Sequence, residues 1–341
     1  MTNNSKDTLV VVLARHYSTG LAIIRSLGAA GYTVDLVANA SKRDESLIAS
    51  KSKYVRNYSE VVAKKIGDDG DRKIVEMLLK YKGQNDSKPV LFPVDDFTAA
   101  VADKNRDVLG DIFVMPSAGN GTEGEIVRLM DKTVQSRIAR EAGLKVPAEW
   151  VVPLAKELTV PEDMVYPCFC KPIESMMGFK RELVKCSDEK ELMDHLTFLK
   201  RRYPERSVLI QEFLDIKEEI DLSGVCIDRE IIIHAIIRKT GISLHERGVT
   251  MAGIIHPAEE LGDAYAKAVS MLKEFHYTGM FDMEFNIVGD DIYFNEVNLR
   301  CGGPNYSYFA SGVNLPEVSV KALLGEEITE AEKRVEEYGK S

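Results

Sequence analysis

The chain has 341 residues and carries 44 Lys and Arg against 54 Asp and Glu, a formal charge of −10. That balance excludes a dedicated nucleic-acid binder, which needs a basic face to neutralise phosphates. A hydrophobic content of 45% with 29% charged residues excludes whole-chain disorder, and the length accommodates two or three domains, each with its own core.

The chain opens on a polar stretch before an apolar run too brief for a secretory leader. No apolar segment approaches the ~20 residues that cross a bilayer. The five cysteines, Cys168, Cys170, Cys186, Cys226 and Cys301, are odd in number and include a C-x-C pair rather than C-x-x-C. The expectation is a cytoplasmic protein with reduced thiols and neither membrane nor nucleic-acid partners.

In chain order, Thr8 to Ala14 reads as a strand, Tyr17 to Ala30 as a helix with Leu21, Ile24 and Leu27 on one face, and Thr33 to Ala38 as a second strand. Helices over Ile74 to Tyr81 and Phe97 to Asn105 and strands over Val90 to Pro93 and Ile112 to Met115 complete a Rossmann-like α/β domain with a parallel sheet, residues 1–118. Its first turn, ARHYSTG, lacks the G-x-G-x-x-G fingerprint, which argues against a dinucleotide enzyme. Arg15, His16, Ser18 and Thr19 stand at the strand end where open α/β sheets bind ligands; a helix cap at Ser18 accounts for them equally.

A helix over Glu123 to Ala142 leads into an α+β module, residues 119–330, with strands over Cys168 to Lys171, Val208 to Phe213, Ile220 to Ile227, Ile231 to Ile237, Gly279 to Ile287 and Asp291 to Val297. Helices are expected over Glu189 to Arg202 and Ala264 to Phe275. The module divides into a smaller lobe of about 145–210 and a C-terminal lobe of about 211–330, and residues 331–341 read as a charged helical or frayed tail.

The most informative stretch runs from Phe281 to Arg300. Two alternating runs flank Gly289-Asp290-Asp291, a natural three-residue hairpin loop. Centring the turn on Asp290 places Glu284 opposite Glu296 and Asp282 opposite Asn298, all on one face. Like charges so placed repel unless neutralised, and oxygen donors of this kind suit Mg²⁺. An amphipathic hairpin with a solvated acidic face has the same residue pattern. The E-x-N-x-R spacing and the following Cys301-Gly302-Gly303-Pro304-Asn305 favour the metal–phosphate reading.

FDMEF, FNEVNLR and GGPNYSYFASGVNLP together resemble the terminal signature of the ATP-grasp ligases. The resemblance implies Glu284, Glu296 and Asn298 as ligands of Mg²⁺, two ions with Mn²⁺ able to substitute, and Arg300 on the acyl or phosphoryl group. It implies Lys132 and Lys171 on ATP phosphates, with Gly178 in a flap that has only one glycine where relatives have several; Ser175 and Lys180 lie in the same flap. VLIQEFLD resembles the adenine-binding connection, with Gln211, Glu212, Phe213 and Leu214 beside the base and Glu219 on the ribose. Arg238, with Arg300 and the amides at Gly302 and Gly303, is the implied oxyanion set, although an exposed strand-end arginine fits Arg238 as well. His245, Glu246, Arg247 and His256 lie in an expected loop, and Met176-Met177 reads as packing.

The compact length and RCGGPNYSY resemble stand-alone carboxylate–amine ligases of the D-aspartate ligase type. The expected activity is ATP-dependent amide or peptide bond formation through an acyl phosphate, on amino acid or peptide substrates, in a homodimer if the chain follows its relatives. The alternatives are a bicarbonate-using enzyme resembling carbamoyl-phosphate synthase or a carboxylase, and a nucleotide-binding module without turnover.

Overall fold

A computed structural model describes residues 7–15, 18–40, 48–62, 69–173, 183–242 and 250–339. The first sheet is parallel, in the order β3-β2-β1-β4, from β1 (Leu9–Arg15), β2 (Thr33–Ala40), β3 (Val55–Val62) and β4 (Val90–Pro93). With α1 (Ser18–Ala29), α2 (Asp69–Leu78), α3 (Asp96–Lys104) and α4 (Arg106–Leu109) it forms the expected α/β unit. The apolar run of β1 is buried on both faces: Val10, Val12 and Ala14 share a core with Ile23, Ile24 and Leu27 of α1, and Val11 and Leu13 share another with Ile74 and Val101. Continuous apolar sequence is what a covered parallel strand requires.

One strand here was not expected, and one expected strand is absent. β3 is a half-exposed edge strand whose polar VRNYSEVV hides its role. Residues 112–115 form no strand; only Val114 bridges Val90, and Pro116, without an N–H, cannot extend the pairing.

The expected helix over 123–142 is two, α5 (Glu125–Leu129) and α6 (Lys132–Glu141). Asp131 divides them, its carboxylate accepting the N–H groups of Thr133 and Val134, as an N-cap does. The next sheet, antiparallel in the order β5-β8-β6-β7, contains β5 (Glu149–Pro153), β6 (Cys168–Pro172), β7 (Val184–Cys186) and β8 (Ser207–Glu212). Across it lies α7 (Glu189–Arg202), whose Leu192, Leu196 and Leu199 at helical spacing pack with Cys168, Cys170 and Cys186. All five cysteines are free and buried.

The largest sheet is antiparallel, in the order β11-β10-β9-β12-β13, from β9 (Glu218–Asp228), β10 (Glu230–Ile242), β11 (Thr250–His256), β12 (Tyr277–Val288) and β13 (Asp291–Asn298). α8 (Asp263–Lys273), α9 (Asn305–Ala310) and α10 (Leu315–Leu324) complete the fold. Leu222, Phe281, Met283 and Phe285 share one core with Ile138 of α6 and Met271 of α8. On the opposite face Val225 and Met280 join Val10, Val12 and Val318 in another. Further along those strands the second face turns polar.

The tail is docked rather than helical or frayed: Val335 is buried, Glu332 pairs with Lys321 at 2.5 Å, and the Gly339 N–H donates to the Ile255 carbonyl at 2.9 Å. Among the described residues no helix is long and apolar enough to cross a membrane.

Candidate active site

The β12–β13 hairpin sets the site. Its loop is the two-residue Gly289-Asp290, with Val288 opposite Asp291 and Gly289 at φ +63°, not the expected three-residue loop. A bulge at Asn295 adds one residue before Glu296, so the intended pairs are restored: Glu284 faces Glu296 and Asp282 faces Asn298. On the other side of β12, Glu284 faces Asp221 and Asp282 faces Ser223. One face therefore gathers Asp221, Asp282, Glu284, Glu296 and Asn298.

Carboxylate oxygens of Asp221, Asp282 and Glu284 lie within 4.8 Å of one another. Asp221 is 2% and Asp282 3% exposed. Burial, followed by the neighbouring carboxylates, holds the pKa of Asp221 well above the ordinary range. Burial and Glu284 raise that of Asp282, opposed by the Ser223 hydroxyl, which donates to it at 2.7 Å, and by Arg300. Lys239 is the nearest counter-charge, its Nζ 2.9 Å from Asp221, 3.2 Å from Glu219 and 3.8 Å from Glu284. Burial pulls its pKa down, but Glu284 and Asp221 outweigh that and raise it. Lys239 and Lys132 are two ammonium groups among the four carboxylates Asp221, Asp282, Glu284 and Glu296, so acidic groups remain in excess in a low-dielectric site, and a divalent cation fits that donor set.

Cations border this face. Lys132 is ion-paired with Glu296. Lys171 is pulled down to about 7, first by burial and then by Lys132, against the opposing pull of Glu149 and Glu284; an arriving polyanion would restore its charge. The Arg300 Nε donates to Asp96 Oδ1 at 2.8 Å, tying the first domain to the hairpin. Burial lowers the Arg300 pKa, but Asp96 and Asp282 raise it further. Gly302 is required beside it: a Cβ would stand 2.5 Å from the Asp282 Cγ.

No protein-family profile matches the chain. Over 199 residues, 57% of the chain, it is 27% identical to the carbamoyl phosphate synthase large chain of Gemmatimonas aurantiaca, and spans 18% of that relative's length. Its fold matches N5-carboxyaminoimidazole synthetase from Staphylococcus aureus at TM-score 0.72 and 15% identity, over 99% of this chain and 83% of that one. It also matches L-amino acid ligase from Bacillus licheniformis at TM-score 0.67 and 16% identity, over 94% of this chain and 75% of that one. The chain has the ATP-grasp fold.

Within that ATP-grasp frame the expected residues separate. Glu284, Glu296, Asn298, Arg300 and Lys132 come together, and Lys171 senses both Lys132 and Glu284. Asn298 Nδ2 reaches Glu284 Oε1 at 3.5 Å, the limit of a hydrogen bond. Gln211 donates to Glu149 at 3.1 Å, and Glu149 also accepts from Ser136 at 2.9 Å and pairs with Arg140 at 2.9 Å. Glu212 pairs through its backbone with Ala148, Phe213 lies under the Lys185 ammonium, 3.8 Å from its ring centroid, and Leu214 is half-buried. Glu219 meets Lys239 rather than standing apart. Gly303 has open space where a Cβ would be.

Arg238 is a correction. Its guanidinium pairs with Glu218 at 2.6 Å and Glu260 at 3.1 Å, away from the carboxylate face, because the adjacent Lys239 takes that face and strand side chains alternate. His256 also meets Glu260, at 3.1 Å. Arg15 stacks over Phe97, 5.1 Å from its ring centroid. Gly178, Ser175, Lys180, Met176, Met177, His16, His245, Glu246 and Arg247 lie outside the described residues.

Sequence reasoning missed Lys239, Asp221 and Asp96. For Asp221 the signal was present, since Glu219, Asp221 and Ser223 alternate with Ile220 and Leu222.

Proposed function

We propose that the chain is an ATP-dependent ligase that joins a carboxylate to an amine through an acyl phosphate. One observation carries this reading: a buried carboxylate face holding the Lys239 ammonium and bordered by Lys132, Lys171 and Arg300. Glu284, Glu296 and Asn298 would hold Mg²⁺, and the ion would neutralise triphosphate oxygens during transfer. Burial disfavours the charged form of Lys171, and phosphate beside it would restore that charge. The carboxylate substrate takes the γ-phosphoryl group and ADP leaves. The amine then attacks the acyl carbon and expels phosphate. Arg300, fixed by Asp96, would hold the reacting anion, with the Gly302 and Gly303 backbone following it in the chain. Two bound reactants held in register supply much of the acceleration, so no enzyme nucleophile is needed.

A second reading has bicarbonate as the carboxylate. The likeness to carbamoyl phosphate synthase and to N5-carboxyaminoimidazole synthetase favours it, since both names carry a one-carbon acyl group on nitrogen. The test is a screen of amino acids and bicarbonate with ATP, Mg²⁺ and hydroxylamine. An acyl phosphate is trapped as a hydroxamate, and bicarbonate-dependent ADP release without one marks the second reading. No ADP release with any amino acid or with bicarbonate sinks both.

A further inference from the structure

We propose that a cavity of about 220 Å³ between β11 and α9 receives an uncharged apolar or aromatic side chain of the amine substrate, a proposal that rests on the ligase reading above. Its apolar wall is Ile237, Met251, Pro304 and the Tyr306 ring, its polar side chains are Thr250 and Ser307, and among the described residues none on the lining carries a charge.

The cavity continues the carboxylate face. Ile237 stands directly across the ladder from Asp221, two residues before Lys239. On the other wall Gly303 follows Gly302, whose α-carbon packs against Asp282. A molecule seated here has a charged, acidic region at one end and a neutral apolar one at the other, which matches an amino acid bound by its amine end near the carboxylates and its side chain in the cavity.

Two wall residues are exposed in a way packing does not explain. Met251 is 70% exposed on a strand, and Tyr306 is 42% exposed while stacked on Phe309 at 5.4 Å. A pliable thioether facing a braced aromatic ring makes an adaptable apolar grip. Among the described residues of this lining an acidic side chain would meet no cation.

The test is calorimetric titration of the full chain with phenylalanine, methionine, aspartate and lysine, together with amide formation when each is offered as the amine beside the acid that supports ADP release in the screen above. Phenylalanine or methionine is expected to bind at least about tenfold tighter than aspartate or lysine. Tyr306→Ala is expected to weaken that binding by about tenfold. Met251→Lys, at an exposed position, is expected to weaken it and improve aspartate. Equal affinity for all four, or affinities unmoved by both substitutions, overturns the pocket. Amide formation without side-chain preference for the amine overturns the pocket and spares the ligase. Selective binding with no ADP release from any acid overturns the ligase reading and leaves the cavity's selectivity standing.

Discussion

The two faces of the largest sheet differ by a single residue step. On β12, Phe281, Met283 and Phe285 are fully buried in a core shared with α6 and α8, while between them Glu284 faces carboxylates on both neighbouring strands and Asp282 faces Ser223 and Asn298. One face follows hydrophobic packing and the other keeps like charges together against their repulsion. The first is what makes the second tolerable: a slip of one residue would turn three large apolar side chains onto the polar face and two acids into the apolar core, so the core face locks the register that assembles the site. The bulge at Asn295 belongs to this arrangement, because without it Glu296 would not oppose Glu284.

The sharpest way to break the contrast is at the charged face. Glu284→Gln and Glu296→Gln keep shape and remove charge, and each is expected to lower ADP release about 100-fold or more. Fold stability should hold or rise for Glu284→Gln, since repulsion among the carboxylates is relieved. Full turnover in either variant would remove that residue from the proposed metal set.

Next in size is the ammonium within the acidic cluster. Lys239→Met leaves Asp221, Glu219 and Glu284 without their counter-charge, and breaking a buried pair from one side costs about 3–5 kcal/mol. Urea unfolding measures this. A loss comparable to that of an exposed pair, about 1 kcal/mol or less, would mean the cluster sheds its charge by protonation alone.

How much of this was legible follows from the same alternation. The hairpin pairs could be read because both strands have a clean period of two and the turn residues mark their centre; the loop was misjudged by one residue and the bulge compensated. β10 offered no phase. Its EIIIHAIIRK is apolar on both sides, and a register shift between Ile233 and Ala235 resets the alternation, so nothing local said whether Arg238 or Lys239 faced the acids. Asp96 is 204 positions from Arg300 and met it only through tertiary packing. In the smaller lobe, β6 was recognisable as an apolar strand ending in a lysine, but the linking of Gln211, Ser136 and Arg140 through Glu149 left no local sign.

A pH experiment sharpens the comparison at smaller amplitude. The folded pKa values of Asp221 and Asp282 are raised, so between the ordinary value of 3.8 and their raised values the folded chain holds protons that the unfolded chain has released. Stability from this source is full below the ordinary value and is lost as pH rises through the raised ones. A Mg²⁺ ion held at the adjoining Glu284 would favour the ionised forms of Asp221 and Asp282 and offset that loss. Saturating Mg²⁺ should therefore raise the unfolding free energy, read by urea titration, more at about pH 7.5 than at about pH 5, by a difference on the order of 1–3 kcal/mol. Equal shifts at both values would place the ion elsewhere.

The smallest effect belongs to the other side of the strand. Arg238 pairs with Glu218 and Glu260, and its side chain is 27% exposed. Partly exposed pairs of this kind contribute about 1 kcal/mol or less, so Arg238→Ala should change unfolding by no more than that and leave ADP release within about twofold. Its neighbour Lys239, one peptide unit away, is expected to behave in the opposite manner on both measurements. A large activity loss in Arg238→Ala with stability intact would show that the strand presents its other face to the reacting groups during turnover. A similar response of the two residues would show that alternation along β10 does not divide the site from its support.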